Sequence, residues 1–153
     1  MKNIFKFTAL STIILSHSPA VAELYFDEPL SFGSIIITDN STVGSITVPA
    51  YGNTVTSGGV MVLTPGNPAE LVFTDYIPYS TLTVTPMLPV TTSITSGITE
   101  QFTLDQIDIP SRIRTDSAGM ARVKMGGRLT TSGNGGRYIN TAYKAVFHID
   151  ISY

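Results

Sequence analysis

The sequence predicts an all-β protein, and three observations carry that prediction. Apolar and polar residues alternate with the period of two that is typical of half-buried strands. Clusters of Gly, Pro, Asn and Asp separate the alternating segments at spacings near the roughly 8–12 residues of β-sandwiches. Helical periodicity is nearly absent after residue 22. Because no helical crossovers connect the strands, we expect an antiparallel immunoglobulin-like β-sandwich of about eight or nine strands.

The first 22 residues predict a secretory signal peptide. Lys2 and Lys6 give a positive start, an apolar run follows, and small residues close it at Ala20 and Ala22. The run is shorter than the roughly 20 residues that cross a bilayer, and we expect no transmembrane span. We expect cleavage after Ala22 and an exported chain, located in the periplasm, at the cell surface or outside a Gram-negative bacterium.

Residues 23–153 have the size of one domain, in which residues 23–29 form a short N-terminal extension before the next strand.

Without Lys2 and Lys6, the chain has seven Lys and Arg residues and 11 Asp and Glu residues, which gives a net charge of −4. No basic patch is available to neutralise phosphates, so we expect no nucleic-acid partner. Cysteine is absent, which excludes thiol catalysis and leaves packing and hydrogen bonds to hold the fold.

Four segments show the strand alternation most clearly. In each, apolar residues share one face, and Ser, Thr or charged residues predominate on the other. In chain order they are GSITVP (44–49), AELVFTD (69–75), STLTVT (80–85) and MARVKM (120–125).

The segment EQFTLDQIDIP contains a phase slip. Phe102 and Leu104 share one face, whereas Ile107 and Ile109 fall on the opposite parity. A one-residue slip is what a β-bulge at Asp105–Gln106 would produce. The alternative is that two short strands or a turn meet there.

The Gly-rich stretch SGNGG (132–136) precedes the last strand. Asn134–Gly135 suits a type I′ hairpin turn, and no helix follows as a phosphate-binding loop would require. The final segment then places Tyr143, Ala145, Phe147, Ile149, Ile151 and Tyr153 on one face. We therefore predict a hairpin whose last strand lies on the core and is open to pairing with an assembly factor.

No group of residues predicts catalysis, a cofactor or a metal site. His148 and Asp150 lie on one strand face, but two ligands do not make a stable metal centre. Asp105 and Asp108 lie at opposite parity, so they cannot flank a sugar as the paired carboxylates of a glycosidase do. We expect that the protein is not an enzyme.

Three tyrosines are candidate binding aromatics. Tyr51, Tyr76 and Tyr79 fall in or near turns, where aromatic rings stack on sugars or anchor a protein partner. The alternative is a structural role, since tyrosines at such positions also pack against the ends of β-sandwiches. Asn40 begins a glycosylation-type triplet, Asn-Ser-Thr, which we interpret as a turn.

Several short motifs, taken in order, identify a family. They are LSFGSI, GSITV, SGGV, AELVF and the closing MGGRLTTSGNGGRYINTAYKAVFHIDISY. Their marks are Phe32-Gly33, Gly58-Gly59, Gly126-Gly127, Leu129, Gly136, Tyr138, Ile149, Ile151 and Tyr153. Over residues 24–153 the chain resembles the exported bacterial domain-of-unknown-function family 4402, which is similar to spore-coat-U and pilin-like domains. Asn140 departs from the family, which often has Gly there.

The resemblance implies a non-enzymatic structural subunit of a surface fibre, pilus-like or envelope assembly. Pilin-like relatives assemble by donor-strand exchange, in which an N-terminal segment fills a groove in the next subunit. By this resemblance Leu24 and Phe26 are the plugs, and Pro29 limits the length of the strand. The expected partners are copies of the chain or homologous subunits, and a periplasmic assembly chaperone. The alternative is a monomeric secreted binding module for a carbohydrate or protein ligand.

Overall fold

The computed structural model describes residues 22–94 and 99–153, and in these ranges the chain forms 12 strands and no helix. All strand pairs are antiparallel, as predicted. The strands are β1 Glu23–Glu28, β2 Ser34–Ile37, β3 Ser45–Val48, β4 Val55–Ser57, β5 Val60–Thr64, β6 Ala69–Thr74, β7 Thr81–Pro86, β8 Val90–Thr91, β9 Thr103–Asp108, β10 Arg112–Arg114, β11 Ala121–Thr130 and β12 Ile149–Ser152. The predicted signal peptide lies outside the described residues, apart from Ala22.

The predicted count of eight or nine strands is wrong. Three of the 12 strands, β4, β8 and β10, are only two or three residues long. A segment that short does not show a period of two in the sequence. These strands form because neighbouring strands offer them backbone partners, which is a tertiary effect.

The strands form three sheets. The largest has seven strands in the order β1-β6-β11-β3-β4, with β9 also paired to β11 and β8 paired to β9. A second sheet has the order β10-β7-β12, and β2 pairs with β5 in the third.

Strand β11 is the centre of the largest sheet. Its residues 121–125 pair with β6, and its second half pairs with both β3 and β9. At the change of partner, a Cβ on Gly126 would overlap the backbone of Val48–Ala50. Only glycine allows this close approach of the two chains.

One apolar cluster draws residues from all three sheets. The predicted inward faces of β3 and β7 are confirmed, since Ile46, Val48, Leu82 and Val84 are all buried. Near the β8–β9 end an aromatic group is part of the same cluster. Its ring centroids lie 4.4 Å apart for Phe102 and Tyr138 and 5.0 Å apart for Phe102 and Tyr143.

The predicted bulge in β9 is confirmed. Arg128 of β11 lies opposite Gln106 and Leu129 lies opposite Leu104, which leaves Asp105 as the extra residue. The guanidinium of Arg128 donates two hydrogen bonds of 2.9 Å to the Asp105 carboxylate. This bidentate pair fixes the bulged residue on the sheet surface.

The predicted hairpin at the end of the chain is wrong. β11 ends at Thr130, and β12 pairs with β7 instead of returning along β11. The Gly-rich stretch 132–136 folds around the side chain of Asn40 and makes no type I′ turn, because its positive φ angles fall at Gly133 and Gly135 and not at adjacent residues.

The predicted inward face of the final segment is nevertheless confirmed up to Ile151. Tyr143, Ala145 and Phe147 are buried, and Ile149 and Ile151 are half-buried. Only the last part, β12, belongs to a ladder. Tyr153 is 59% exposed.

Candidate functional site

The segment with the predicted plugs is a strand at the edge of the largest sheet. β1 pairs with β6 so that Leu24 lies opposite Phe73 and Phe26 lies opposite Leu71. Leu24 and Phe26 are half-buried and pack against the core cluster, to which both partners belong. β1 thus covers apolar side chains of β6 in its own chain.

The opposite face of β1 covers a second apolar residue. Tyr25 lies opposite Val72, and on the other side of Val72 lies Arg122 of β11. Val72 is 0% exposed although it faces away from the core cluster. Because Tyr25 and Arg122 flank it, we infer that their side chains shield it from water.

A bulge near the end of β1 leaves Asp27 unpaired in the ladder. Phe26 lies opposite Leu71 and Glu28 lies opposite Glu70, so Asp27 is the extra residue. Its carboxylate accepts a 2.7 Å hydrogen bond from the guanidinium of Arg122, which raises the pKa of that guanidinium. Both side chains are exposed, so the pair adds little to stability.

The chain becomes fixed immediately after β1. Pro29 is exposed, whereas Leu30 is completely buried. The backbones of Ser31 and Asn67 exchange two hydrogen bonds of 3.0 and 2.9 Å, and the Asn67 amide donates to the Pro29 carbonyl. The exposed residue Pro29 thus lies between β1 and the first completely buried residue of the next segment.

Seven strands present a free edge in the described part of the chain. β1, β2, β4, β5, β8, β10 and β12 each pair with one neighbouring strand only. A free edge carries backbone groups that can pair with another strand. β1 is the first of these strands in the chain, and its residues Leu24 and Phe26 pack against the core cluster.

The three candidate tyrosines have different surroundings. Tyr51 is 76% exposed in the turn after β3, and Tyr79 is 60% exposed in the connection from β6 to β7. The guanidinium carbon of Arg114 lies 6.0 Å from the centroid of the Tyr79 ring. Tyr76 is only 6% exposed, so its ring is not available to an outside ligand.

Tyr76 has a structural role instead. Its ring lies 6.1 Å from that of Phe73 and meets the ring of Tyr153 edge-on at 5.7 Å. Its hydroxyl is buried and has no hydrogen-bond partner among the described residues. This burial raises the pKa of Tyr76.

Asn40 holds the Gly-rich stretch, a role that the sequence pattern did not indicate. Its amide donates to the Ser132 hydroxyl at 2.9 Å and to the Gly136 carbonyl at 2.8 Å, and its side-chain oxygen accepts from the Gly133 amide. The interpretation of this triplet as a turn is consistent with Asn40 being buried and bonded.

A polar groove of about 440 Å³ lies beside Asn40. Residues 37–41 form one wall and residues 135–138 form the other. Hydrogen bonds from Ser41 lower the pKa of Asp39 in this groove. Its lining combines the carboxylate of Asp39 with the side chain of Arg137.

The acidic and histidine candidates have structural positions. Asp105 binds Arg128, and the carboxylate of Asp108 accepts a 2.8 Å hydrogen bond from the Ala50 amide. His148 and Asp150 are exposed on the outer face of the final segment. Among residues 22–94 and 99–153, no three His, Cys, Asp or Glu side chains are grouped so that they could hold a metal ion.

These features define a class: an antiparallel all-β domain with a terminal strand at a free sheet edge. The chain belongs to the family described as a domain of unknown function, DUF4402, whose model matches residues 24–153. No curated protein and no solved structure matches it. Within the described ranges the chain has no helix of the length and apolarity that a membrane crossing requires.

Proposed function

We propose that this protein is an exported, non-enzymatic structural subunit of a bacterial surface fibre, pilus-like or envelope assembly. Subunits are joined by β-strand addition through β1. The observation that supports the proposal is the position of β1: it supplies Leu24 and Phe26 to the core, and the exposed residue Pro29 follows it. We place the hinge of the exchange at Pro29.

Strand exchange would preserve the contacts of β1. When β1 lies on β6 of a neighbouring copy, Leu24 and Phe26 meet the same Phe73 and Leu71 that they meet within one chain. The exchange therefore links subunits without any new complementary surface, as in domain swapping. Extended segments that add to a sheet edge gain backbone hydrogen bonds together with side-chain pockets.

A vacated β6 edge needs a replacement partner. Without β1, the core residues Leu71 and Phe73 and the shielded Val72 would be exposed to water. An exposed apolar edge is prone to aggregation. We therefore include a periplasmic assembly chaperone among the partners, as a protein that occupies this edge before a neighbouring subunit does.

The proposed arrangement of the sheets is an immunoglobulin-like sandwich, similar to that of pilin-like domains. The single core cluster that joins the sheets supports it. The connections also support it, because the chain passes between the two larger sheets twice. The first passage is from β6 to β7, and the second is from β10 to β11. A hydrogen bond from the Tyr76 amide to the Gly119 carbonyl ties these two connections together.

The alternative function is a monomeric secreted binding module. The polar groove beside Asn40 favours it, as does the exposure of Tyr51 and Tyr79. Such a module would keep β1 permanently on its own β6 and would bind a carbohydrate or protein ligand. The two functions differ in one property, which is whether β1 transfers between chains.

Single cysteines test this transfer, since the chain has none of its own. Tyr25 and Val72 lie opposite each other in β1 and β6. The Cα atoms of such an antiparallel pair are roughly 4.5–5.5 Å apart, which is within the range that a disulfide accepts. Chains with Tyr25→Cys and chains with Val72→Cys are co-expressed and oxidised. Non-reducing electrophoresis then measures disulfides between the two chains.

The control uses two strands that remain in one subunit. Ser45 and Ser57 lie opposite each other in β3 and β4, and they are changed to cysteine in separate chains in the same way. Strand exchange predicts a cross-linked pair for Tyr25→Cys with Val72→Cys and none for the serine pair. Cross-linking no stronger than that of the control would overturn the proposal.

A further inference from the structure

Two free sheet edges carry opposite charge. The edge strand β1 has three exposed acidic residues, Glu23, Asp27 and Glu28. The edge strand β10 has exposed Arg112 and Arg114 on either side of buried Ile113. In a chain with few charged residues, these are the two edges with a cluster of one sign.

Most of these charges have no ion-pair partner within residues 22–94 and 99–153. The ion pairs among the described residues join Arg122 to Asp27, Lys124 to Glu70, and Arg128 to Asp105. Those pairs leave Glu23 and Glu28 of β1 unpaired, and they leave Arg112 and Arg114 of β10 unpaired. Both edges are therefore available for charges outside the chain.

The outward face of β1 is suited to arginine. Glu23, Tyr25 and Asp27 alternate with the core-facing residues and are exposed. A guanidinium can donate to a carboxylate and stack on a tyrosine ring at the same time. This face keeps the same composition whether β1 lies on its own β6 or on that of a neighbour.

The two edges belong to different sheets. β1 borders the seven-stranded sheet beside β6, and β10 borders the β10-β7-β12 sheet beside β7. Among the described residues no ion pair joins β1 to β10. The contact inferred below is therefore one between different copies of the chain.

We propose that the β1 edge of one copy docks on the β10 edge of a second copy, in a head-to-tail contact between Glu23 or Glu28 and Arg112 or Arg114. The contact rests on the proposed role as an assembling subunit and names the surfaces that neighbouring subunits present. Like edges repel, which disfavours symmetric pairs of β1 with β1 or β10 with β10. Repeated unlike contacts continue in one direction and build a filament.

Charge reversal tests the contact. One variant carries Glu23→Lys and Glu28→Lys, and a second carries Arg112→Glu and Arg114→Glu. The control carries Arg137→Glu and Lys144→Glu, which changes the net charge as the second variant does but at exposed residues outside both edges. Sedimentation velocity of residues 23–153 measures association at low and at high ionic strength.

The contact predicts that the wild type associates at low ionic strength and less at high ionic strength. Each edge variant alone associates about tenfold more weakly or worse, because its two edges now have the same sign. An equimolar mixture of the two edge variants restores association, since the β1 edge of each now matches the β10 edge of the other. The control associates like the wild type.

Three results would overturn the contact: a wild type that stays monomeric, edge variants that associate like the wild type, or a mixture that stays monomeric. The cysteine experiment separates this outcome from failure of strand exchange. Cross-links between Tyr25→Cys and Val72→Cys chains without charge rescue would reject the docked edges and keep the exchange. Charge rescue with no such cross-links would keep the docked edges and reject the exchange.

Discussion

Leu24 of β1 lies directly opposite Phe73 of β6, so the segment predicted to fill a groove in a neighbour fills one in its own chain. The side chain of Leu24 is half-buried against the core, and Phe73 is completely buried. The residues of β1 that face the core therefore contribute to the stability of the single chain, which is the basis of the first prediction.

We predict that Phe26→Ala lowers the free energy of unfolding by about 2 kcal/mol, because a half-buried ring leaves a cavity beside Leu71. Glu23→Ala is the control on the same strand and should stay within about 0.5 kcal/mol of the wild type. Urea unfolding of residues 23–153 measures both. Equal effects of the two changes would show that β1 does not contribute to the core.

We predict that Tyr76→Phe raises the free energy of unfolding by about 1 kcal/mol, since it removes a buried hydroxyl that has no partner among the described residues. Tyr143→Phe is the matched control. The Tyr143 hydroxyl donates to the Ile139 carbonyl at 3.1 Å and lies 2.9 Å from the Thr99 hydroxyl. Its loss should lower stability by about 1 kcal/mol, and the same sign for both variants would contradict the structure.

We predict that Asn40→Ala lowers the free energy of unfolding by about 2 kcal/mol, because three hydrogen bonds to the Gly-rich stretch are lost. Amide hydrogen exchange should increase at residues 132–136, and the core strands should keep their protection. Ser41→Ala is the control, as the Ser41 hydroxyl is exposed and bonds only to Asp39. Unchanged exchange at Gly133 would reject this role of Asn40.

We predict that stability falls as the pH rises above about 10. Burial raises the pKa values of Tyr76, Tyr138 and Tyr143. Above pH 10 these phenols ionise in the unfolded chain before they ionise in the folded one, so the unfolded state binds fewer protons and is favoured. The contribution is complete below about pH 10.

Urea unfolding at a series of pH values, followed together with tyrosinate absorbance, checks this dependence. Tyr76→Phe should show a shallower alkaline decrease than the wild type. A free energy of unfolding that stays constant while tyrosinate forms would contradict the burial of these phenols.

The sequence predicted which residues of a strand face the core better than it predicted which strands pair with each other. The period of two is a local property, and it located the inward residues of β7 and the bulge at Asp105. Which strand lies beside which depends on contacts distant in the chain. The predicted hairpin failed for that reason, since β12 found its partner in β7.

The candidate site shows the same division. The family resemblance suggested Leu24 and Phe26 as plugs for a groove in a neighbouring subunit, but nothing local showed that they lie opposite β6 of the same chain. Tyr76 lies between two turns and resembles a surface aromatic in sequence, yet Phe73 and Tyr153 cover it. The bonds of Asn40 to residues about 90 positions away were beyond any local pattern.

The most direct test of the central claim compares residues 23–153 with residues 30–153, which lack β1. Size-exclusion chromatography with light scattering measures mass, and negative-stain imaging shows shape. A synthetic peptide of residues 23–29 is added to the shorter chain to establish that its β6 edge is intact. The account predicts linear polymers for the longer chain. It predicts that the shorter chain forms no linear polymers and is a monomer when the peptide covers its β6 edge. Stable monomers of both chains would contradict strand-linked assembly and favour the binding module.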